Sequence, residues 1–175
     1  MNNNTELQQS KLFETYSPFV FKVALLITRS RTLSDDITQE TFIRIFKKIH
    51  LYDPLKPIEP WLYRITVNVT NNLLRKQKWL KFFGDVSIAK NSSSWEPESE
   101  LLHYERDQEL WESVGRLSVK YRQILVLHYY SEMSLNEISS ILEIPLGTCK
   151  SRLNMALRKL RLELDLEKGG ILDEI

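Results

Sequence analysis

Between Thr148 and Arg158 the chain sets out Thr148, Lys150, Ser151, Arg152, Asn154, Met155 and Arg158, and no acidic residue occurs from Thr148 to Leu162. Hydroxyls and amides in such a run can read base edges, while guanidinium and ammonium groups neutralise phosphates. A second set lies earlier. Arg64, Asn68, Asn71 and Arg75 stand at offsets of 0, 4, 7 and 11, with Trp61 and Tyr63 ahead of them. Cations for phosphates, amides for base edges and aromatics able to stack on an unpaired base are the tools for holding opened DNA. Covalent chemistry is not indicated. There is no phosphate-binding glycine loop, no zinc-protease helix and no nucleophile beside a plausible base. His50, His103 and His128 lack metal-ligand spacing. Neither catalysis, cofactor nor metal is expected.

Helices must position both sets. Ser134-Leu135-Asn136-Glu137 is a capping box, with Ile138, Ile141 and Leu142 as the apolar stripe of a short helix ending near Glu143. Pro145 cannot continue that helix but suits the first turn of a new one. The second helix carries Cys149, Leu153, Ala156, Leu157, Leu160 and Leu164, which fall on one face at ~100° per residue. Ser151, Asn154, Met155 and Arg158 fall opposite, flanked by Lys150, Arg152, Lys159 and Arg161. This is a helix-turn-helix pattern, and its second helix suits a major groove. Pattern alone also fits two amphipathic helices with an ordinary solvated basic face.

The other set belongs to a helix starting at Pro60, whose Leu62, Ile65, Val69 and Leu73 face a core. Ahead of it, Leu12 to Thr28 reads as a core helix and Arg29 to Leu33 as a polar turn. Ser34 is expected to cap a helix with Asp35 and Asp36 in its first turn. On that helix Ile37, Thr41, Ile45 and Ile49 face inward, whereas Asp36, Gln39, Glu40 and Arg44 face outward. Leu51 to Glu59 contains two prolines and reads as a loop. Gly84 to Glu100 is polar and aperiodic, the mark of a linker between domains rather than a loop within one. Helices follow from Leu101 to Leu117 and from Val119 to Ser131, where His128 reads as a packed side chain. Cys149, on the apolar face, reads as a small core residue.

The composition is globular, with 42% hydrophobic and 27% charged residues. The single cysteine excludes an internal disulfide framework. The longest apolar run, Val23 to Ile27, is too short to span a bilayer, and Met1-Asn2-Asn3-Asn4 lacks the features of a signal peptide. A soluble, cytoplasmic protein is expected. The net charge of +1 conceals segregation. Trp61 to Lys90 holds six cations against Asp85, and Trp95 to Glu112 holds seven acids against Arg106. An acidic stretch thus separates two basic ones.

Three segments resemble one family, in that family's order. Ile144-Pro145-Leu146-Gly147-Thr148-Cys149-Lys150-Ser151-Arg152-Leu153 resembles the recognition-helix signature of extracytoplasmic-function (ECF) sigma factors, small members of the sigma-70 family of bacterial RNA polymerase. Ser34 to Phe46 resembles that family's segment for docking on a coiled coil of the largest polymerase subunit. Trp61-Leu62-Tyr63-Arg64-Ile65, Val67-Asn68 and Leu74-Arg75-Lys76 resemble its −10-element helix. The resemblance implies an all-α fold of two small helical domains, 1–84 and 101–175, joined by a flexible linker, 85–100. It implies that core RNA polymerase is met by Asp36, Gln39, Glu40 and Arg44 as polar contacts and by Phe42 or Ile43 as apolar ones. By position, Asn68 would contact duplex at the upstream edge of the −10 element, with Trp61 and Tyr63 near the melting point, and the C-terminal helix would read the −35 element. The Leu51–Glu59 loop would pocket a flipped base, and an anti-sigma partner, often membrane-bound in the family, would be expected. Ser118 departs from the family's frequent proline, and Asn154 and Met155 replace residues that are often aromatic or basic. Two other readings fit the same pattern. One is a free-standing helix-turn-helix regulator, and the other is an interaction protein that only occupies a sigma regulator.

Overall fold

The computed structural model describes residues 2–83 and 105–167, and the protein divides into two compact units, Met1–Ser92 and Ser93–Ile175. The described residues are all-α, in seven α-helices. The proposed linker and the acidic tail after Glu167 lie outside them. Among the described residues no helix is long and apolar enough to cross a membrane.

The first unit packs α1 (Asn2–Thr28), α2 (Arg31–Lys48) and α3 (Glu59–Phe83) against one another. Its centre is Val20, Phe42, Ile45 and Leu62, continued by Ala24, Ile37 and Val69. The α1–α2 turn is tighter than the sequence suggests. Arg29 takes a left-handed conformation (φ 58°) and closes α1, so Ser30 rather than Ser34 caps α2, its hydroxyl accepting the Leu33 N–H at 3.3 Å. Ser34 is instead fully buried, and its hydroxyl donates to the Ser30 carbonyl at 2.7 Å. Both serines suit a cap, and the left-handed turn at Arg29 selects the earlier one. On α3 the buried face also takes Thr66 and Thr70, whose hydroxyls donate to carbonyls one turn back and so satisfy themselves. Between α2 and α3 a 3-10 turn, Ile49–Leu51, precedes the loop proper. That loop is knit by Leu55 N–H to the Asp53 carboxylate and by Tyr52 Oη–H to the Lys56 carbonyl, and it leaves Leu55 93% exposed.

In the second unit α7 (Leu146–Glu167) is the hub against which α4 (Glu105–Arg116), α5 (Val119–Leu125) and α6 (Leu135–Leu142) pack. Ile124, Leu127, Ile138, Cys149 and Ala156 are fully buried there. Arg122 ties the end of α4 to α5 by donating to the carbonyls of Gly115 and Leu117, both at 2.8 Å. A cation at these carbonyls also suits the C-terminal end of the α4 dipole. The helix expected to reach Ser131 changes character at Val126 and finishes as a π turn, Val126–Tyr130. His128 secures that turn. Its Nδ1 lies 2.8 Å from the Met133 carbonyl. A carbonyl can only accept, so Nδ1 carries the proton.

The capping box at Ser134 is complete. Its hydroxyl accepts the Glu137 N–H at 3.3 Å, and the Glu137 carboxylate accepts the Ser134 N–H at 2.8 Å and its O–H at 2.7 Å. The Ser134 hydroxyl and then its N–H hold the Glu137 carboxyl below its ordinary pKa. A depressed carboxyl stabilises the fold above its ordinary titration range, and that stabilisation is lost as pH falls through the folded value. Ser134→Ala is therefore expected to cost about 1 kcal/mol at neutral pH. The difference from wild type should shrink in acid. Denaturant melts at pH 7 and pH 3 check this, and an equal difference at both would contradict it.

Candidate functional site

On α3 the stripe of cations and amides is presented as expected. Arg64, Asn68 and Arg75 are exposed and Asn71 is half-buried, while Leu62, Thr66 and Val69 hold the opposite side in the core. The aromatics at its start behave differently. Tyr63 is only 6% exposed and its ring packs on Phe19 at 5.2 Å, so it is a core residue and not a free platform for a base. Trp61 is half-buried against the core and tilts over Tyr52, 5.4 Å away.

On α2 the outward residues converge with α3. Asp36, Gln39, Glu40, Ile43 and Arg44 line a groove of about 460 Å³ with Val69, Asn72, Leu73 and Lys76 across from them. Glu40 and Arg44 are paired at 2.7 Å, and both are more than a third exposed. Such an i,i+4 pair is worth a few tenths of a kcal/mol, enough to orient the two groups without locking them. Burial separates Phe42 from Ile43. Phe42 is 2% exposed under Phe13 and Phe46, so it is not available to a partner, whereas Ile43 is 47% exposed. Spacing alone does not place Asn72 and Lys76 on this surface. Their place one turn apart beside Leu73 was the available signal.

On α7 Lys150, Ser151, Asn154, Met155 and Arg158 are exposed, and Thr148 and Arg152 are half-buried. Cys149, Leu153 and Ala156 form the buried face, but Leu157, expected there, is 38% exposed at its margin. Burial pushes the Cys149 thiol up, against a smaller opposing pull from Arg152. The turn before α7 is rigid. Glu143 is left-handed (φ 54°), the Ser139 hydroxyl donates to the Ile144 carbonyl at 2.7 Å, and the Pro145 carbonyl accepts from Thr148 and Cys149. Pro145 thus stands just before the first helical residue. At Gly147 a Cβ would meet nothing within 4 Å, so the fold itself does not require glycine there.

Comparison with known proteins follows these surfaces. The description "Sigma-70 region 2" matches residues 12–80, which hold the groove and the α3 stripe, and "Sigma-70, region 4" matches residues 107–160, which hold the helix-turn-helix. The chain belongs to the sigma-70 family, in its extracytoplasmic-function group. It is 29% identical over 163 residues to the ECF RNA polymerase sigma factor SigW of Bacillus subtilis (strain 168), covering 87% of each chain. It is 29% identical over 164 residues to SigM of the same organism, covering 94% of this chain and 98% of that one. The fold of a sigma factor RpoE, solved with the anti-sigma factor NepR from Bartonella quintana, superposes with a TM-score of 0.74 at 19% identity, covering 94% of this chain and 98% of that one. That of CnrH, solved with the cytosolic domain of CnrY, gives 0.64 at 22% identity, covering 92% and 90%. Sigma region 2 thus supplies the first unit and region 4 the second.

Neighbouring residues on α2 give a direct test of these assignments. Phe42→Ala should destabilise the protein by about 3–5 kcal/mol, and Ile43→Ala by no more than about 0.5 kcal/mol. Thermal melts of the two variants decide it. A large loss at Ile43 would put that side chain in the core.

Proposed function

We infer that this chain is an RNA polymerase sigma factor that binds core polymerase and directs promoter recognition and opening. One observation carries the reading. The unit with the −10-type stripe also presents, on an adjoining surface, a groove of mixed charge with Ile43 and Leu73 in its lining. Apolar anchors ringed by charge suit a separable protein interface, and a regulator acting alone has no use for one. Core polymerase would be held by Asp36, Gln39, Glu40, Ile43 and Arg44, with Asn72 and Lys76 on the far wall. Arg64, Asn68, Asn71 and Arg75 would hold the −10 element, with Trp61 near the point of melting. Thr148, Lys150, Ser151, Arg152, Asn154, Met155 and Arg158 would meet the −35 element. The Leu55 loop would lie where the family pockets a flipped base.

The domains would be 1–84 and 101–175 with 85–100 between them. The protein would work in the cytoplasm without chemistry of its own, since bond formation belongs to the polymerase. An anti-sigma partner is part of the proposal, because RpoE and CnrH were each solved with a second protein, which for RpoE is an anti-sigma factor by name.

Capture of core polymerase from a bacterial lysate, followed by run-off transcription on genomic fragments, tests the reading. Specific operator binding by the chain alone, as a dimer on a palindrome at ~10⁻⁸ M or tighter, would overturn it. Glu40→Lys should weaken core binding and leave DNA contacts of the C-terminal unit intact. Lys150→Ala should reduce the logarithmic salt slope of upstream DNA binding by about one. Asn68→Ala should impair opening more than core binding, and normal permanganate reactivity in that variant would remove Asn68 from its role.

Gly147 separates folding from binding. Glycine in a helical turn costs up to ~1 kcal/mol relative to alanine, and the fold gives no reason for it here. Close approach of a DNA backbone would. Gly147→Ala should raise the melting temperature while weakening −35 binding. Unchanged DNA affinity with a raised melting temperature would show that no backbone approaches.

A further inference from the structure

The stripe on α3 does not stop at Arg75. Phe82 follows Arg64 by eighteen residues. At ~3.6 residues per turn that is about five whole turns, so the two share one line along the helix. Lys78 and Trp79 fall within about 60° of that line, at ~100° per residue. The positions opposite, Leu73, Gln77 and Leu80, are half-buried. Trp79 is 60% exposed and Phe82 is 81% exposed, on the face turned away from the packing side of the helix. Large aromatics so exposed are not there to build the core.

The surroundings are basic throughout. After Glu59 no acidic residue occurs before Asp85, while Arg75, Lys76, Lys78 and Lys81 accumulate toward the end of α3. A polyanion is the complement of such a face, and exposed aromatics add apolar contact with sugars or groove edges, as wedging side chains do in duplex DNA. Direction follows from the proposed function, on which this inference rests. With Trp61 near the melting point and Asn68 at the upstream edge of the −10 element, the helix runs upstream toward its C-terminus. Phe82 lies fourteen residues beyond Asn68. At a rise of ~1.5 Å per residue, that places it roughly 21 Å further along the helix axis.

We propose that Trp79 and Phe82, flanked by Lys78, form a second DNA contact on α3 that grips the promoter duplex upstream of the −10 element. The contact is assigned to the backbone and groove edge rather than to a base sequence, with Lys78 as a point charge for a phosphate and the two rings as sequence-tolerant apolar surface. It lengthens the grip of the first unit on DNA without enlarging the polymerase groove, which none of these three residues lines.

The test uses the full-length chain assembled with core polymerase and a promoter found by the run-off assay. Two fork-junction DNAs share the −10 element. One keeps about a turn of duplex upstream of it and the other is trimmed at its edge. The wild-type holoenzyme should prefer the long fork. The double variant Trp79→Ala/Phe82→Ala should bind the long fork about tenfold more weakly, bind the trimmed fork as wild type does, and keep its affinity for core. Lys78→Gln should lower the salt slope on the long fork by about one. Equal losses on both forks, no loss on either, or a wild type indifferent to fork length would each overturn the proposal. So would unchanged DNA binding with loss of attachment to phosphatidylserine-containing vesicles, which would assign the patch to a membrane surface. A wild-type holoenzyme that bound neither fork would instead overturn the sigma-factor reading, and this one with it.

Discussion

What the two units can offer a partner depends on the burial of one narrow stripe on α3 and another on α7. A helix turns ~100° per residue, so committing about a third of its circumference to a core fixes what the remainder shows to solvent. On α3, Leu62, Thr66 and Val69 are buried and thereby set Arg64, Asn68 and Arg75 outward. On α7, Cys149, Leu153 and Ala156 do the same for Ser151, Asn154, Met155 and Arg158. Small residues on the α7 stripe also let neighbouring helices approach closely. The faces proposed for nucleic acid are therefore consequences of packing and need no loops to hold them. This is the more precise arrangement, since side chains on a packed helix move less than side chains on a connection.

How far the sequence revealed this depended on whether the deciding interaction was local. The capping box at Ser134 was legible because every partner lies within three residues. The cap of α2 was not. Ser30 and Ser34 are chemically alike, and the left-handed turn at Arg29 decides between them. Aromatics were the other weak point. Phe42 and Tyr63 have the chemistry of contact residues, but each ring is covered by others, Phe13 and Phe46 in one case and Phe19 in the other. Leu157 errs the other way, since an apolar stripe read from leucines alone is wider than the surface α7 buries. The groove between α2 and α3 was half legible, because spacing orders residues along one helix but cannot state which two faces meet.

The α2–α3 groove and the α3 stripe share a helix, and one hydrogen bond joins them. Asn72 lines the groove, and its side-chain oxygen accepts from Arg75 at 2.6 Å. The bond is exposed and weak, so its value is geometric. It keeps Arg75 in a defined direction beside Asn71 while leaving it able to turn to a phosphate, a stronger acceptor than a neutral amide. Glu40 and Arg44 likewise face each other across one turn, and in the proposed complex a partner would supply better-matched charges.

Charge explains why two such faces suit an assembled complex better than a solitary binder. DNA affinity at physiological salt comes largely from counterion release, which scales with the number of phosphates neutralised. The α3 face offers Arg64, Arg75 and Lys78, and the α7 face offers Lys150, Arg152, Arg158, Lys159 and Arg161. Neither number is large, and the acids between Trp95 and Glu112 bring the whole chain back to +1. Two weak faces become a strong one only if both engage the same duplex, and the gain then depends on how well their separation matches the sites. A third body that grips the first unit in its groove and fixes the second relative to it would supply that match. It would also confine strong binding to duplexes whose two elements are correctly spaced. Low intrinsic affinity in each unit would then be part of the selectivity, since a chain basic enough to bind with either face alone would occupy DNA at half-sites.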